Sequence, residues 1–393
     1  MTSRLVVNSI RHTGSSSDAV TLASDGTCTA NITNNLSNRN KIINGGMAVS
    51  QRQTSRTGTG GGDGYFLCDR WRIFSANTSA RFTISQESDT SGAPGLPFSF
   101  KFDCTTADTS LAASDFLGIQ QKIEGQNVQD FLKGTSSAKK FTLSFYVKTN
   151  KSGVYTVELR DNNNSRQCSK TFTVSDGNWN RYTLSFPADT TGAFNNNNND
   201  SLNVNFWLIA GSTYTGGTLN SSGWASQTNA NRVSSSNVNI GDSTSNNFEL
   251  TGVQLEVDQT GSGVATDFEH LSYADTLAKC QRYFYEICLH SQNTTPICQA
   301  TDYDGSYSYG NIHFPVTMRT KPSMGQVAGT NYFKLYGGTA VIPVNSSSNL
   351  VFNEGGIHGA EIQINNQGNS GMGRANFLRA TNSAARLNFI AEL

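Results

Sequence analysis

The sequence predicts an all-β protein, and composition gives two reasons. Charged residues make up only 15% of the chain, well below the usual proportion of about a quarter. Asn, Ser and Thr supply the polarity instead, and these residues favour turns and strand edges over helix interiors. The 22 Phe and 13 Tyr suit the half-buried surfaces of sheets. With 393 residues, the chain is long enough for two or three domains, each with its own core.

Charge and targeting signals narrow the possible partners. The 29 basic and 29 acidic residues balance to a net charge of zero, which predicts neither a nucleic-acid partner nor an anionic membrane partner. No apolar run is long enough for a signal peptide or a transmembrane helix. The seven cysteines form no C-x-x-C pair, so we expect free, buried thiols that act as small hydrophobic side chains.

The first domain predicted is a short strand segment, residues 1–40. The alternating runs are Leu5–Ile10, Ala19–Leu22 and Thr27–Ile32, and the turn Asp25-Gly26 separates the last two. A segment of this size cannot bury a core alone. We therefore expect it to pack against copies of itself or against another protein.

Residues 41–270 are predicted to form one large jelly-roll or β-sandwich module. In Phe141–Lys148, Phe and Leu alternate with polar residues, which places one side of the strand in a core. Clusters of Gly, Asn, Asp and Ser bound each candidate strand, as in a sandwich. The other candidates are Trp71–Ser75, Ala80–Gln86, Phe98–Asp103, Val154–Arg160, Lys170–Val174, Trp179–Phe186, Val204–Ala210 and Asn247–Val257.

One connecting helix and a second β-sandwich are predicted to follow. Ser272 and Asp275 have the spacing of a helix N-terminal capping box, and Leu277, Gln281 and Phe284 continue at helical spacing. We place this helix at residues 271–284 and the C-terminal sandwich at 285–393. Its candidate strands are Ile287–Ser291, Ile297–Ala300, Ser306–Phe314, Met324–Val327, Phe333–Leu335, Ala340–Val344, Asn349–Phe352, Ala360–Asn365, Phe377–Leu378 and Ala385–Ala391.

The sequence contains no complete motif for catalysis or for cofactor binding. The glycine-rich loop Gly58–Gly64 lacks both the dinucleotide-binding spacing and the lysine of a phosphate-binding loop. The five histidines show no paired metal spacing, and Asp302-x-Asp304-Gly305 is only a fragment of a calcium loop. We predict no catalytic residue, no metal ligand and no cofactor. A structural calcium ion stays open as an alternative, with oxygen ligands from Asp161 and Asn163 or from Asn199 and Asp200.

Aromatic residues are the best functional signal. Sugars bind by stacking their C–H faces on aromatic rings, while Asn, Asp and Gln satisfy the hydroxyl groups. We expect Trp71 and Trp179 to lie in the core, and one of Phe206 and Trp207 to face outward or into an interface. The predicted receptor-binding residues are those in polar turns and loops: Tyr303, Tyr307 and Tyr309 with Asp302 and Asp304 as hydroxyl acceptors, and Trp224 with Tyr214.

Two sequence blocks carry a resemblance to a known family. The first is N-K-I-I-N-G-G-M-A-V-S-Q-R from Asn40, followed by C-D-R-W-R-I-F from Cys68. The second is T-G-V-Q-L-E-V from Thr251, continued by A-T-D-F-E-H-L-S-Y-A-D-T-L-A-K-C-Q-R-Y-F-Y from Ala265. They resemble the segments that frame a jelly-roll module in tail fibres of tailed bacteriophages, in particular phages of marine cyanobacteria. The strands from Phe141 to Phe186 also resemble carbohydrate-binding modules.

The resemblance implies a structural virion component of the tail, assembled in the host cytoplasm, that binds a host surface polysaccharide or lipopolysaccharide. It also implies a homotrimer that docks to other tail proteins through residues 1–40, with the C-terminal domain pointing toward the host. Two alternatives remain open at this point. One is a tailspike depolymerase with a pair of catalytic carboxylates, and the other is a purely architectural tail or capsid decoration protein.

Overall fold

The protein is all-β, as predicted: 44% of the residues lie in strands and 7% in helices. A computed structural model describes residues 6–16, 18–30, 37–88, 90–258, 261–288, 294–337, 340–344, 346–365 and 372–393. These residues form a small N-terminal sheet and two β-sandwiches, and every pairing between named strands is antiparallel.

The N-terminal sheet has the strand order β1-β2-β3. Its strands are shorter than the predicted runs: β1 is Ser9–Ile10, β2 is Val20–Leu22 and β3 is Cys28–Ala30. Leu5, Asn31 and Ile32 of those runs lie outside the described residues. Ile10 and Leu22 are 51% and 40% exposed, so this part of the chain has apolar surface to offer a partner.

The first sandwich comprises thirteen strands. They are β4 Ser55–Thr59, β5 Gly64–Tyr65, β6 Arg72–Ala76, β7 Arg81–Glu87, β8 Ser99–Thr106, β9 Phe116–Glu124, β10 Phe141–Thr149, β11 Gly153–Asp161, β12 Arg166–Val174, β13 Asn180–Phe186, β14 Asp200–Ala210, β15 Ala225–Ser226 and β16 Asn247–Val257. One sheet has the order β13-β10-β16-β8-β7-β4 and the other β15-β12-β11-β14-β9-β6-β5. Short helices flank these strands: α1 Ser212–Thr215 and the 3₁₀ turns Gly125–Asn127, Gln129–Phe131 and Asn229–Asn231.

The core of the first sandwich lies between the inner faces of its two sheets. Phe141, Leu143, Phe145 and Val147 are fully buried there, as the alternation in β10 predicts. Trp71 is also fully buried, and its indole Nε1 donates to the backbone oxygen of Asn44 at 3.0 Å. The aromatic rings of the predicted strands therefore supply the interior of the sandwich.

The predicted connecting helix is present as α2, Tyr273–Gln281. Ser272 caps it: the Ser272 Oγ accepts from the Asp275 backbone N–H at 3.1 Å and donates to the Asp275 carboxylate at 2.6 Å. The hydroxyl-to-backbone half of the capping box is thus formed. The Asp275 carboxylate, in place of the usual Glu, accepts from the Ser272 hydroxyl, whereas a full capping box has it accept from the backbone N–H of the cap residue.

The second sandwich follows the helix. Its strands are β17 Phe284–Glu286, β18 Thr295–Asp302, β19 Tyr307–His313, β20 Ser323–Val327, β21 Phe333–Gly337, β22 Ala340–Val344, β23 Leu350–Gly355, β24 Gly359–Asn365, β25 Ala375–Ala380 and β26 Arg386–Ile390, with a 3₁₀ turn at Ser347–Asn349. A seven-stranded sheet, β22-β21-β25-β18-β19-β24-β23, packs against the three strands β17-β26-β20. The first strand is Phe284–Glu286, earlier than the predicted Ile287–Ser291, whose residues from 289 on lie outside the described residues.

Candidate functional site

Two of the three predicted tyrosines meet on the outer face of the seven-stranded sheet of the second sandwich. The Tyr303 side chain is 68% exposed, and its ring lies edge-on to Tyr309 with 5.5 Å between the ring centroids. The Tyr309 hydroxyl donates to the Gln363 side-chain oxygen at 3.3 Å. Thr301 and Gln363 pair with Tyr309 in register on the two neighbouring strands. We call Tyr303, Tyr309, Thr301 and Gln363 the tyrosine platform.

The Tyr309 phenol can act as a hydrogen-bond donor. Desolvation raises the pKa of Tyr309, and the nearby carboxylates of Asp304 and Glu361 raise it further. A protonated phenol can donate a hydrogen bond at neutral pH. The platform therefore presents an exposed ring beside a hydrogen-bonding edge, which is the combination that holds a sugar.

Asp302 is buried, which corrects its prediction as a hydroxyl acceptor, and Asp304 stabilises the turn in which it lies. Asp302 is 1% exposed, and its carboxylate accepts from Ser308, Arg374 and Asn376. Asp304 accepts from the backbone N–H groups of Ser306 and Tyr307 at 2.7 and 2.9 Å, which is the geometry of an Asx turn. These carboxylates shape the turn that carries Tyr303.

Two further aromatic residues lie on the same outer face. Phe377 is 49% exposed, and it pairs in register with Tyr336 on one side and Gln299 on the other. The Arg379 guanidinium lies 5.0 Å from the Tyr336 ring centroid. The sequence analysis considered only aromatic residues in polar turns and loops, so it did not predict these two rings. The alternation in A-N-F-L-R-A nevertheless places Phe377 on the face opposite the buried Leu378.

The second predicted group, Trp224 with Tyr214, is not an open binding surface. Trp224 is 9% exposed: its ring packs 5.6 Å from Phe141, and its Nε1 donates to the Pro187 backbone oxygen at 2.9 Å. The Tyr214 ring packs 5.3 Å from that of Trp207. The polar loop around Trp224 folds back onto the sandwich, and the Trp224 ring therefore packs in the core.

The burial of Trp179 and Trp207 differs from the prediction. Trp179 is half-buried rather than in the core, and Lys148 Nζ lies 5.9 Å from its ring centroid. Phe206 and Trp207 are both buried, at 1% exposure each. Trp207 does leave the inner face of its sheet, but Tyr214 and Arg232 cover it.

A cavity of about 360 Å³ lies where the two framing sequence blocks meet. Asn40, Ile42 and Gly45 line it from the first block, and Phe268, Glu269 and His270 line it from the second. Glu269 accepts from the backbone N–H groups of Asn38 and Asn40 at 2.5 and 2.8 Å. The carboxylate is therefore occupied in joining the blocks.

The described parts of the chain offer few side chains for metal binding or for thiol chemistry. All seven cysteines are free, and five of them are buried as predicted, whereas Cys28 is exposed and Cys298 is half-buried. Within the described residues, no group of three or more His, Cys, Asp or Glu side chains could hold a metal ion. Among the same residues, no helix is long and apolar enough to cross a membrane.

Comparison with known proteins finds similarity in structure alone. No protein-family model and no curated protein matches the sequence. Among solved structures, the chain is similar to the enzymatically active domain of tailspike protein 4 from bacteriophage CBA120, at 11% identity and a TM-score of 0.29. That match covers 56% of this chain and 21% of the tailspike chain.

Two other similar structures are matched over nearly their whole length. One is a family 11 carbohydrate-binding module of Clostridium thermocellum, at 13% identity, a TM-score of 0.25, and coverage of 50% of this chain and 95% of the module. The other is a cyclase from Fischerella sp. TAU, at 12% identity, a TM-score of 0.32, and coverage of 55% and 95%.

Proposed function

We propose that this chain is a glycan-binding structural protein, a tail fibre of a tailed bacteriophage that recognises a polysaccharide or lipopolysaccharide on the host surface. The observation that carries the proposal is the exposed Tyr303 ring packed edge-on against Tyr309 beside Gln363. In this arrangement a sugar ring would stack on Tyr303, while Gln363 and Thr301 would bind its hydroxyl groups.

Affinity on one chain would be low, and assembly would compensate for it. One exposed ring contributes on the order of 1 kcal/mol of stacking. Three copies on a rigid trimer could raise the avidity by roughly 10² to 10⁴. Weak single sites and strong multivalent attachment suit a fibre that searches a cell surface reversibly before it commits.

The N-terminal sheet supports the oligomeric part of the proposal. Val6, Ile10 and Leu22 are 81%, 51% and 40% exposed, and this short sheet has no core cluster of its own among the described residues. Apolar surface of this kind is covered when copies associate or when a partner protein binds. In the proposed fibre, residues 1–40 dock the trimer to other tail proteins.

The test is the binding of purified host surface polysaccharide by a variant in which Tyr303, Tyr307 and Tyr309 are all replaced by Ser. We expect the variant to lose binding and cell adsorption. Tyr273→Ser is the matched control, because Tyr273 is also a solvent-exposed tyrosine, at 61% exposure, but lies on α2. If the triple variant adsorbs as well as the parent while both remain folded, the platform is not the receptor site.

An assay for released oligosaccharide separates the proposal from a depolymerase. A binding fibre leaves the polysaccharide at its original length, whereas a tailspike enzyme shortens it. Localisation of the chain on the virion by cryo-electron microscopy separates it from a decoration protein with no receptor role.

A further inference from the structure

Two cations lie side by side on the outer face of the seven-stranded sheet of the second sandwich. Lys334 on β21 and Arg379 on β25 are directly paired in register, and both are partly exposed. Their neighbours Leu335 and Leu378 are buried, at 0% and 1% exposure, so the two cations project from the opposite, outer face. We call Lys334 and Arg379 the basic pair.

The basic pair has no acidic partner among the described residues, since neither side chain forms a salt bridge with any of them. The exposed or half-buried carboxylates of Glu354 and Glu361 lie on β23 and β24, at least three strands from β25, or about 14 Å at the usual strand spacing. Asp302 lies beside Arg374, five residues before the arginine of the basic pair, which is roughly 16 Å along a strand. Asp304 follows in the turn beyond Asp302.

The placement of the basic pair costs stability. Side chains paired directly across two strands have Cβ atoms about 5 Å apart, and like charges in this position repel each other. Carboxylates more than about 10 Å away are largely screened at physiological salt, so they do not offset the repulsion. An anion bound between the two cations would remove it, and it would receive charge-assisted hydrogen bonds from both.

Aromatic rings adjoin the basic pair on the same face. The Arg379 guanidinium lies 5.0 Å from the Tyr336 ring centroid, and Tyr336 pairs in register with Phe377, which is 49% exposed. Phe377 lies two residues before Arg379, or about 7 Å away along β25. Gln299 is exposed and pairs with Phe377 on the neighbouring strand β18. A stacking ring and an amide thus lie beside the two cations.

We propose that the basic pair and Phe377 bind an acidic saccharide, a sugar chain that carries carboxylate or phosphate groups. The sugar ring would stack on Phe377, Gln299 would bind its hydroxyl groups, and the anion would lie between the two cations. A free anion would leave the ring without a contact, and a neutral sugar would leave the cations unpaired. This inference rests on the proposed function, because it names the chemical class of glycan that the same sheet face recognises.

Isothermal titration calorimetry of the whole protein tests the inference with two anionic sugars, trigalacturonate and galactose 6-phosphate. The methyl ester of trigalacturonate and galactose are their uncharged counterparts, and sodium phosphate is an anion without a sugar. We expect at least one anionic sugar to bind, its uncharged counterpart to bind roughly tenfold more weakly or less, and added salt to weaken binding. The anionic sugar that binds identifies the recognised group as a carboxylate or a phosphate.

A double variant, Lys334→Gln with Arg379→Gln, removes both charges of the basic pair. We expect it to bind the anionic sugar roughly tenfold more weakly or less, because hydrogen bonds to charged groups are strong. Lys334→Gln alone should also weaken binding without lowering the melting temperature, since it relieves the repulsion within the basic pair. Lys321→Gln is the matched control: it removes an exposed lysine just before β20 of the opposite sheet and should bind like the parent.

The inference fails if the parent binds neither anionic sugar, if charged and uncharged sugars bind equally, or if the double variant binds like the parent. Sodium phosphate that binds as tightly as the anionic sugar would overturn the saccharide part. A smaller mass of the double variant in light scattering would instead assign the basic pair to a contact between copies of the chain.

Host polysaccharide separates this inference from the proposed function. Polysaccharide binding that is lost when Tyr303, Tyr307 and Tyr309 are replaced by Ser, but unchanged in the double variant, would overturn the inference and leave the proposed function intact. Binding that is lost only in the double variant would have the opposite meaning, because the basic pair would then act without the tyrosine platform.

Discussion

Arg70 of the first sandwich and Glu392, one residue before the chain end, form a buried ion pair that joins the two sandwiches. Arg70 is 1% exposed, and its guanidinium lies 3.5 Å from the ring centroid of Tyr283, just after α2. Its Nη2 also donates to the Lys122 backbone oxygen at 2.7 Å. Both ends of the second sandwich therefore contact one arginine of the first.

A second ion pair strengthens the same junction. Arg282 binds both oxygens of Glu124 at 2.8 and 2.9 Å, and the Tyr283 hydroxyl donates to Glu124 at 2.5 Å. Arg282 and Tyr283 belong to the second framing block, and Arg70 belongs to the first. The two sequence blocks thus meet at the junction between the sandwiches.

Replacement of Glu392 by Gln should destabilise the protein by about 3–5 kcal/mol, because it leaves the buried Arg70 charge without its ionic partner. Urea unfolding followed by two spectroscopic probes measures the loss. Glu354→Gln, at an exposed position of β23, should change stability by less than about 0.5 kcal/mol. Equal stability of the two variants would show that the pair contributes nothing to the junction.

Stability should fall as pH rises from about 4.5 to 7, through Glu286. Burial raises the pKa of Glu286 from 4.5 to about 7, and hydrogen bonds from Asn388 and Leu387 only partly oppose it. In that range the folded state holds a proton that the unfolded state releases, so folding loses on the order of 3 kcal/mol as the proton is removed. The change is complete above about pH 7.

Glu286→Gln tests this pH dependence, because an amide cannot titrate. Unfolding free energies measured from pH 4 to 8 should decline less in the variant than in the parent, and the variant should be more stable at pH 8. An identical decline in both proteins would assign the pH dependence to other groups.

Gly45→Ala should destabilise the first sandwich by about 1–3 kcal/mol, as is typical of overpacking. A Cβ on Gly45 would lie 2.1 Å from the backbone oxygen of Val253, where the first framing block docks on β16. A Cβ on Gly62 would meet no atom within 4 Å. Thermal unfolding should therefore distinguish Gly45→Ala from Gly62→Ala, and similar melting temperatures would contradict the steric argument.

Trp224→Ala should cost about 3–5 kcal/mol, the usual cost of emptying a large aromatic site in a core. Trp224→Phe retains much of the packing and should lose less stability, while it binds polysaccharide like the parent. Chemical denaturation and a binding assay on the Phe variant give the two measurements. Loss of glycan binding by a stably folded Trp224→Phe would restore this ring as a binding residue.

The purified protein should be a homotrimer, since the exposed apolar N-terminal sheet and the sheet edges favour self-association. Size-exclusion chromatography with light scattering measures the mass directly. A clean monomer at micromolar concentration would count against the proposed fibre. Deletion of residues 1–40 should weaken attachment to the virion while leaving the circular dichroism of both sandwiches unchanged.

Elements with local signals could be predicted from the sequence. Strand β10 alternates Phe, Leu and Val with polar residues, and α2 begins at a capping serine whose partner lies three residues later. Strand β9, Phe116–Glu124, was missed although it lies in the middle of its sheet. It carries Gly118 because Phe74 and the Phe206 backbone oxygen occupy the space of a Cβ, and nothing near in sequence indicates that contact.

The sequence by itself determined the all-β class, the free thiols, the capped helix and the inward face of β10, because periodicity and capping act over a few residues. Only the tertiary structure decided which polar and aromatic side chains are exposed and could contact a ligand. It buried Trp224 and Asp302 and brought Tyr303 to Tyr309. Exposure and pairing depend on which distant strands become neighbours, and local residue patterns carry no information about that.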